Sequence, residues 1–230
     1  MRKFGWGKFL VTTAVTGLFT VPSFGVMTIK VHDGYGNTPG GEFNVTPISG
    51  WTITPDRLTD SNGYFETFCL EKNEHFSFGA TYTVILNTEA YAGGIGGQVG
   101  PGDPLSNETA YLYRQFIDGD LDNYNYGVGA GRVNSATALQ DVIWYLENEH
   151  AKSWTDGDNS LRDLFYQDAL ANAGSDLQGV AVMNLYYTGN GQREFRQDML
   201  VATSAVPIPA SALLGLIGFG LTGRIRRRVK

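Results

Sequence analysis

Two blocks of the chain alternate apolar and polar positions, and helical periodicity lies between them. Residues 26–33 (VMTIKVHD), 63–70 (GYFETFCL) and 80–87 (ATYTVILN) set β-branched and aromatic residues between Gly, Asn and Asp, which predicts strands. A glycine-rich connection, 93–103 (GGIGGQVGPGD), closes this first block. Ser106 is a good N-cap for a helix carrying Tyr113, Phe116 and Ile117 on one face, and 118–123 (DGDLDN) stops it. A second helix, capped near Asn134 or Ser135, places Leu139, Val142, Ile143 and Leu146 at i, i+3, i+4 and i+7. A third covers 161–171. The pattern returns to strands at 179–187 and 194–204, joined as a hairpin through 189–191 (GNG). Strands, then helices, then strands predict an α+β domain: an antiparallel β-barrel or sandwich with an inserted helical segment. With no internal repeat between Val26 and Thr203, residues 26–203 read as one domain.

The two ends do not fit that domain. Arg2, Lys3 and Lys8 flank or precede an apolar run over 9–21, and Ser23 and Gly25 are small residues at the positions a signal peptidase reads. Residues 1–25 are therefore expected to be a signal peptide, cleaved after Gly25. At the other end Pro207 and Pro209 interrupt regular structure, and 210–223 is uncharged and apolar on all sides. Arg224, Arg226, Arg227, Arg228 and Lys230 follow it. Fourteen helical residues span about 21 Å, short of the roughly 30 Å hydrocarbon core, so this segment suits a marginal or temporary membrane anchor. The terminal cations favour the cytoplasmic side, which leaves the domain outside.

The order Val206-Pro207-Ile208-Pro209, a small-residue apolar helix and the cluster Arg226, Arg227, Arg228 resembles a PEP-CTERM sorting signal over 204–230. Ile208 stands where that family often carries Glu. The resemblance implies recognition by exosortase, a membrane protease-transpeptidase of Gram-negative bacteria that make extracellular polysaccharide. It also implies transient anchoring in the inner membrane and a final place on the cell surface or in the extracellular matrix.

Charge supports setting the ends apart. They hold eight of the 17 Lys and Arg and none of the 23 Asp and Glu, which leaves nine basic residues and a net charge near −14 for 26–203. That balance argues against nucleic acid or an anionic membrane surface as a partner.

Candidate chemistry centres on two residues. Cys69 is the only cysteine, so it cannot form an internal disulfide; it is a buried spectator, an intermolecular bridge or a reactive group. Gln140 lies beside the apolar stripe of the second helix, between Ala136 and Trp144, and should reach the protein interior, where a glutamine needs hydrogen bonds. Phe68-Cys69-Leu70 on a strand and 139–144 (LQDVIW) on a later helix together resemble the two halves of a thioester domain of bacterial surface adhesins. The similarity extends through 110–127 and 138–149. It implies an internal thioester between the Cys69 thiol and the Gln140 carboxamide, formed with loss of ammonia. It further implies covalent capture of a nucleophile, most simply an amine, on a protein or polysaccharide partner. This is single-use attachment rather than enzymatic turnover, with no cofactor.

Other residues carry plainer expectations. His75 could act as a base but reads as a surface histidine, Glu147 and Glu149 read as a solvated helix end, and Tyr111 and Tyr113 as packing. A cysteine hydrolase would need Cys69 paired with His32, His75 or His150, none of which sits in a recognisable signature. Asp118, Asp120 and Asp122 are spaced like calcium-loop ligands, but Asn123 and Gly129 stand where the turn glycine and the closing Glu belong, so no metal site is expected. The competing reading is a non-covalent carbohydrate- or matrix-binding structural protein of a biofilm, with Cys69 and Gln140 merely packed together.

Overall fold

A computed structural model of the chain describes residues 26–37, 40–51, 63–93, 98–189 and 192–203. The expected signal peptide at 1–25 and the sorting signal at 204–230, with Val206, Pro207, Pro209, Arg226, Arg227 and Arg228, lie outside the described residues. Among the described residues, no helix is long and apolar enough to cross a membrane.

The described chain is α+β. Strands β1 (Met27–Asn37), β2 (Gly40–Ser49), β3 (Phe65–Thr67), β4 (Thr81–Asn87), β5 (Glu89–Gly93) and β6 (Gln98–Pro104) come first. Helices α1 (Asn107–Asp118), α2 (Ala130–Leu146) and α3 (Leu161–Asn172) follow, and strands β7 (Val180–Gly189) and β8 (Gln192–Ala202) end it. Six strands form one antiparallel sheet in the order β3-β2-β1-β4-β7-β8, and β5 and β6 pair separately.

The sheet is open, not the closed barrel that was one of the two expected forms. Its end strands nevertheless meet at one point. Beyond β3 the chain makes a single antiparallel bridge from Cys69 to Met199 of β8. Leu70 N–H donates to the Asp198 carbonyl at 2.9 Å, and Leu200 N–H donates to the Phe68 carbonyl at 3.2 Å. Six strands can curl this far because each pair adds right-handed twist.

Alternation around that bridge divides the interior in two. Cys69 faces a cluster made by the sheet itself: Ile29, Val31, Phe43, Val45, Tyr82, Met183 and Met199. Phe68 and Leu70 face the other way, into a cluster with Leu112, Phe116, Leu139, Ile143 and Phe165 of the helices. Each such side chain contributes about 1.5–3 kcal/mol by leaving water. Helix α2 serves both clusters, since Leu139, Val142 and Ile143 belong to the second and Trp144 to the first.

Serine caps explain where α1 and α3 begin. Ser106 and Ser160 accept the Thr109 and Asp163 N–H groups, as the sequence predicts for Ser106. Helix α1 stops at Gly119, which takes the left-handed conformation with φ 80°. Helix α2 starts four residues earlier than the Asn134 expected to cap it, after Gly129 at φ 118°. Ser135 lies inside it, its hydroxyl accepting the Asn125 N–H of the preceding loop instead. The extra turn carries Arg132, which reaches Glu42 on β2 through two nitrogens at 2.5 and 3.0 Å and Glu66 on β3 at 2.6 Å. Tyr124 donates a further bond to Glu42 at 2.7 Å. Paired charges at this end anchor α2 to the sheet two turns before Gln140, about 12 Å along the axis.

Candidate functional site

Gln140 is 1 % and Cys69 3 % exposed. In an antiparallel bridge of this kind Cys69 turns its own N–H and C=O away from β8, where no neighbouring strand among the described residues receives them. The Gln140 carboxamide takes that place. Cys69 N–H donates to Gln140 Oε1 at 3.0 Å, and Gln140 Nε2 donates to the Cys69 carbonyl at 2.7 Å. One side chain thereby satisfies both backbone groups of the residue that carries the thiol, and the two expected site residues meet across 71 positions of sequence.

A glycine seats the glutamine. A Cβ on Gly40 would lie 2.7 Å from Gln140 Cγ and 2.5 Å from Trp144 Cη2, far inside contact distance. The β1–β2 hairpin therefore presses bare backbone against the face of α2 that carries Gln140 and Trp144, one turn apart. The Gly40-Gly41 pair is visible in the sequence, but nothing there connects it to a helix 100 residues later.

Cys69 also lines a cleft of about 220 Å³ with Phe43, Glu71, Lys72, Glu74, His75, Phe76, Phe78, Trp144 and Gln197. Phe43, Phe76 and Phe78 contact one another edge-on or tilted, with ring centres 5.1 to 6.0 Å apart. Lys72 Nζ stands 5.6 Å from the centre of the Trp144 ring. Burial pushes the Cys69 thiol well above its ordinary pKa, so it rests protonated.

Acids crowd one side of this cleft. Burial, then the Glu149, Asp198 and Glu74 charges, push Glu71 up to about 10. Burial and the Asp198 and Glu149 charges raise Glu74 to about 7, with Arg196 opposing. Asp198, raised by burial to about 6, is held by Tyr91 N–H at 2.6 Å and Asn184 Nδ2 at 3.0 Å.

Glu147 and Glu149 are not the solvated helix end that the sequence suggests; they are 7 % and 4 % exposed. Glu147 accepts the Ser106 hydroxyl at 2.5 Å, tying the end of α2 to the start of α1. Glu149 accepts Lys72 N–H at 3.0 Å, tying it to the segment after Cys69. His75 lines the cleft and is exposed. His32 bonds Thr46 and stacks on Tyr64, and His150 bonds the Asp141 carbonyl. Tyr113 is fully buried and donates to the Glu66 carbonyl at 2.7 Å, while Tyr111 reaches Asp168. Asp118 pairs with Arg114, and no group of three metal-ligating side chains occurs among the described residues.

No protein-family model, curated protein or solved structure matches the chain.

Proposed function

We propose that this chain is an exported surface or matrix protein in which Cys69 and Gln140 close an internal thioester and attach it covalently to an amine-bearing partner. The observation that carries the reading is the pair of reciprocal hydrogen bonds holding the Gln140 carboxamide against the Cys69 backbone. Amides are poor electrophiles, and sustained contact between thiol and carboxamide is what makes attack feasible.

The same bonds suit the chemistry. When Cys69 sulfur adds to the Gln140 carbonyl carbon, negative charge gathers on Oε1, at the end of the bond from Cys69 N–H, which then acts as an oxyanion donor. The Cys69 carbonyl orients Nε2, the leaving nitrogen. The C–N bond breaks, the thiol proton leaves with nitrogen as ammonia, and the acyl group stays on sulfur. An amine entering the cleft later displaces the sulfur, forms an amide with the former Gln140 carbonyl and returns Cys69 to a thiol. Aromatic walls at Phe43, Phe76, Phe78 and Trp144 limit water until that partner docks.

Export through 1–25, exosortase sorting through 204–230 and transient anchoring in the inner membrane belong to the same proposal. They place the domain at the cell surface or in the matrix of a Gram-negative bacterium, where a covalent tether resists flow.

Two observations favour the non-covalent carbohydrate- or matrix-binding alternative. Both polar atoms of Gln140 are already satisfied, as packing alone requires, and Tyr91 on β5 and Tyr187 on β7 are exposed. Partner capture followed by boiling in detergent separates the two. The thioester predicts an adduct that survives and is absent from Cys69→Ala. The alternative predicts release on denaturation, with binding unchanged in Cys69→Ala.

A further inference from the structure

We infer that Glu74 is the general base of the cleft, taking a proton from an alkylammonium group as it attacks the thioester; this rests on the thioester reading above. At neutral pH a lysine or other alkylamine arrives protonated and has no lone pair to attack with. A cleft that consumes such an amine needs a proton acceptor near the sulfur.

The charged groups around Cys69 narrow the choice. Glu71 is buried beside Glu149 and holds its proton through neutral pH, so it cannot accept another. Asp198 is fully buried, with both carboxylate oxygens engaged by Tyr91 and Asn184. Glu149 is buried and bound to Lys72 N–H. Lys72 is a cation held near Trp144, and Arg196 faces Glu74 from β8. Glu74 and His75 remain. Glu74 is half-buried and lines the cleft with Cys69, and burial, then the Asp198 and Glu149 charges, bring its proton affinity near neutrality, where a base works best. His75 is more exposed.

A second feature points to a ligand in the same cleft. Trp144 forms part of its wall, and its buried indole N–H has no hydrogen-bond partner among the described residues. A carbonyl beside the incoming amine, as on a peptide, would satisfy it once the indole shifts to open its buried N–H to the cleft.

The step balances. Glu74 carboxylate removes one proton from R–NH3+ and later releases it to solvent. The amine nitrogen bonds to the Gln140 carbonyl carbon, and the carbon–sulfur bond breaks. The remaining surplus N–H proton passes through the same carboxylate to sulfur, which its buried setting keeps as a thiol.

The test uses the purified full chain, with rates measured on the fraction that has lost ammonia, as methylamine incorporation against pH. Wild type should show a rate limb that rises to about pH 7 and then levels off, because the ammonium form is deprotonated in the cleft. In Glu74→Gln that limb should give way to one that follows free methylamine and keeps rising well past neutrality, with the rate near neutrality lower by roughly 100-fold and partly rescued in Glu74→Asp. Hydroxylamine, largely neutral at the same pH, should react at similar rates with wild type and Glu74→Gln. Equal slowing towards both nucleophiles would make Glu74 structural, and an unchanged methylamine profile, or a limb lost in His75→Gln instead, would also overturn the role. A wild-type chain with no ammonia loss would overturn the thioester itself, and this role with it.

Discussion

Gln140 has two separable duties, one to the backbone of Cys69 and one to the proposed chemistry. Gln140→Ala leaves the buried Cys69 N–H and C=O without partners, each costing about 1–3 kcal/mol, so the variant should lose roughly 2–6 kcal/mol of stability. Measured against wild-type chain that has kept its ammonia, Cys69→Ala removes only a small buried thiol and should cost about 1 kcal/mol. Urea unfolding of the two variants checks this, and equal losses would mean that Gln140 does not hold the strand. The pair itself was legible because two short motifs occur in order around a lone cysteine. Gly40 was not, because its importance lies in what its missing side chain admits, Gln140 Cγ and the Trp144 ring. Glu147 and Glu149 were misread because a helix end rich in Glu resembles a solvated one, and only the fold shows Ser106 and Lys72 donating to them.

Elements with strong periodicity were legible, and those built by pairing alone were not. Strands β1, β4, β7 and β8 and all three helices follow from alternation or helical spacing, and β7 and β8 pair as the hairpin expected between them, with Gly189 opposite Gln192. Strand β2 was missed because it opens with Gly40-Gly41 and contains Pro47, both turn signals. Pro47 is tolerated because β3 pairs only opposite Phe43–Val45, so among the described residues β2 has no neighbour on that side at Pro47. The glycine-rich 93–103 segment, expected as a connection, supplies most of β6, since backbone pairing needs no side-chain pattern. Helix α2 was expected to start late because Ser135 is a better cap than Gly129, but the loop uses its hydroxyl and the Arg132 ion pairs extend the helix. That the sheet stays open could not be read from the sequence, which suits a closed barrel equally well, since only one bridge, at Cys69, joins its end strands.

Across the whole molecule, the buried acids around the cleft make stability depend on pH in a definite direction. Glu71, Glu74 and Asp198 have folded pKa values raised to about 10, 7 and 6 from ordinary values near 4, so the folded state binds protons more tightly than the unfolded chain. Their favourable contribution is complete below the unfolded values and is lost as pH rises through the folded ones. The chain should therefore melt higher at about pH 5 than at about pH 9, and Glu71→Gln should flatten that slope; a melting temperature that rises with pH would contradict it. The clustering of these acids beside Cys69, on a domain whose ends are expected to direct it out of the cell, ties the fold to the proposed attachment. Intact mass of the purified chain without reductant, beside Cys69→Ala and Gln140→Ala, tests that attachment most directly. An internal thioester predicts a mass lower than calculated by one ammonia, with that deficit absent from both variants and replaced by an adduct after methylamine. The full calculated mass, with a cysteine thiol that titrates normally in the unfolded chain, would contradict it.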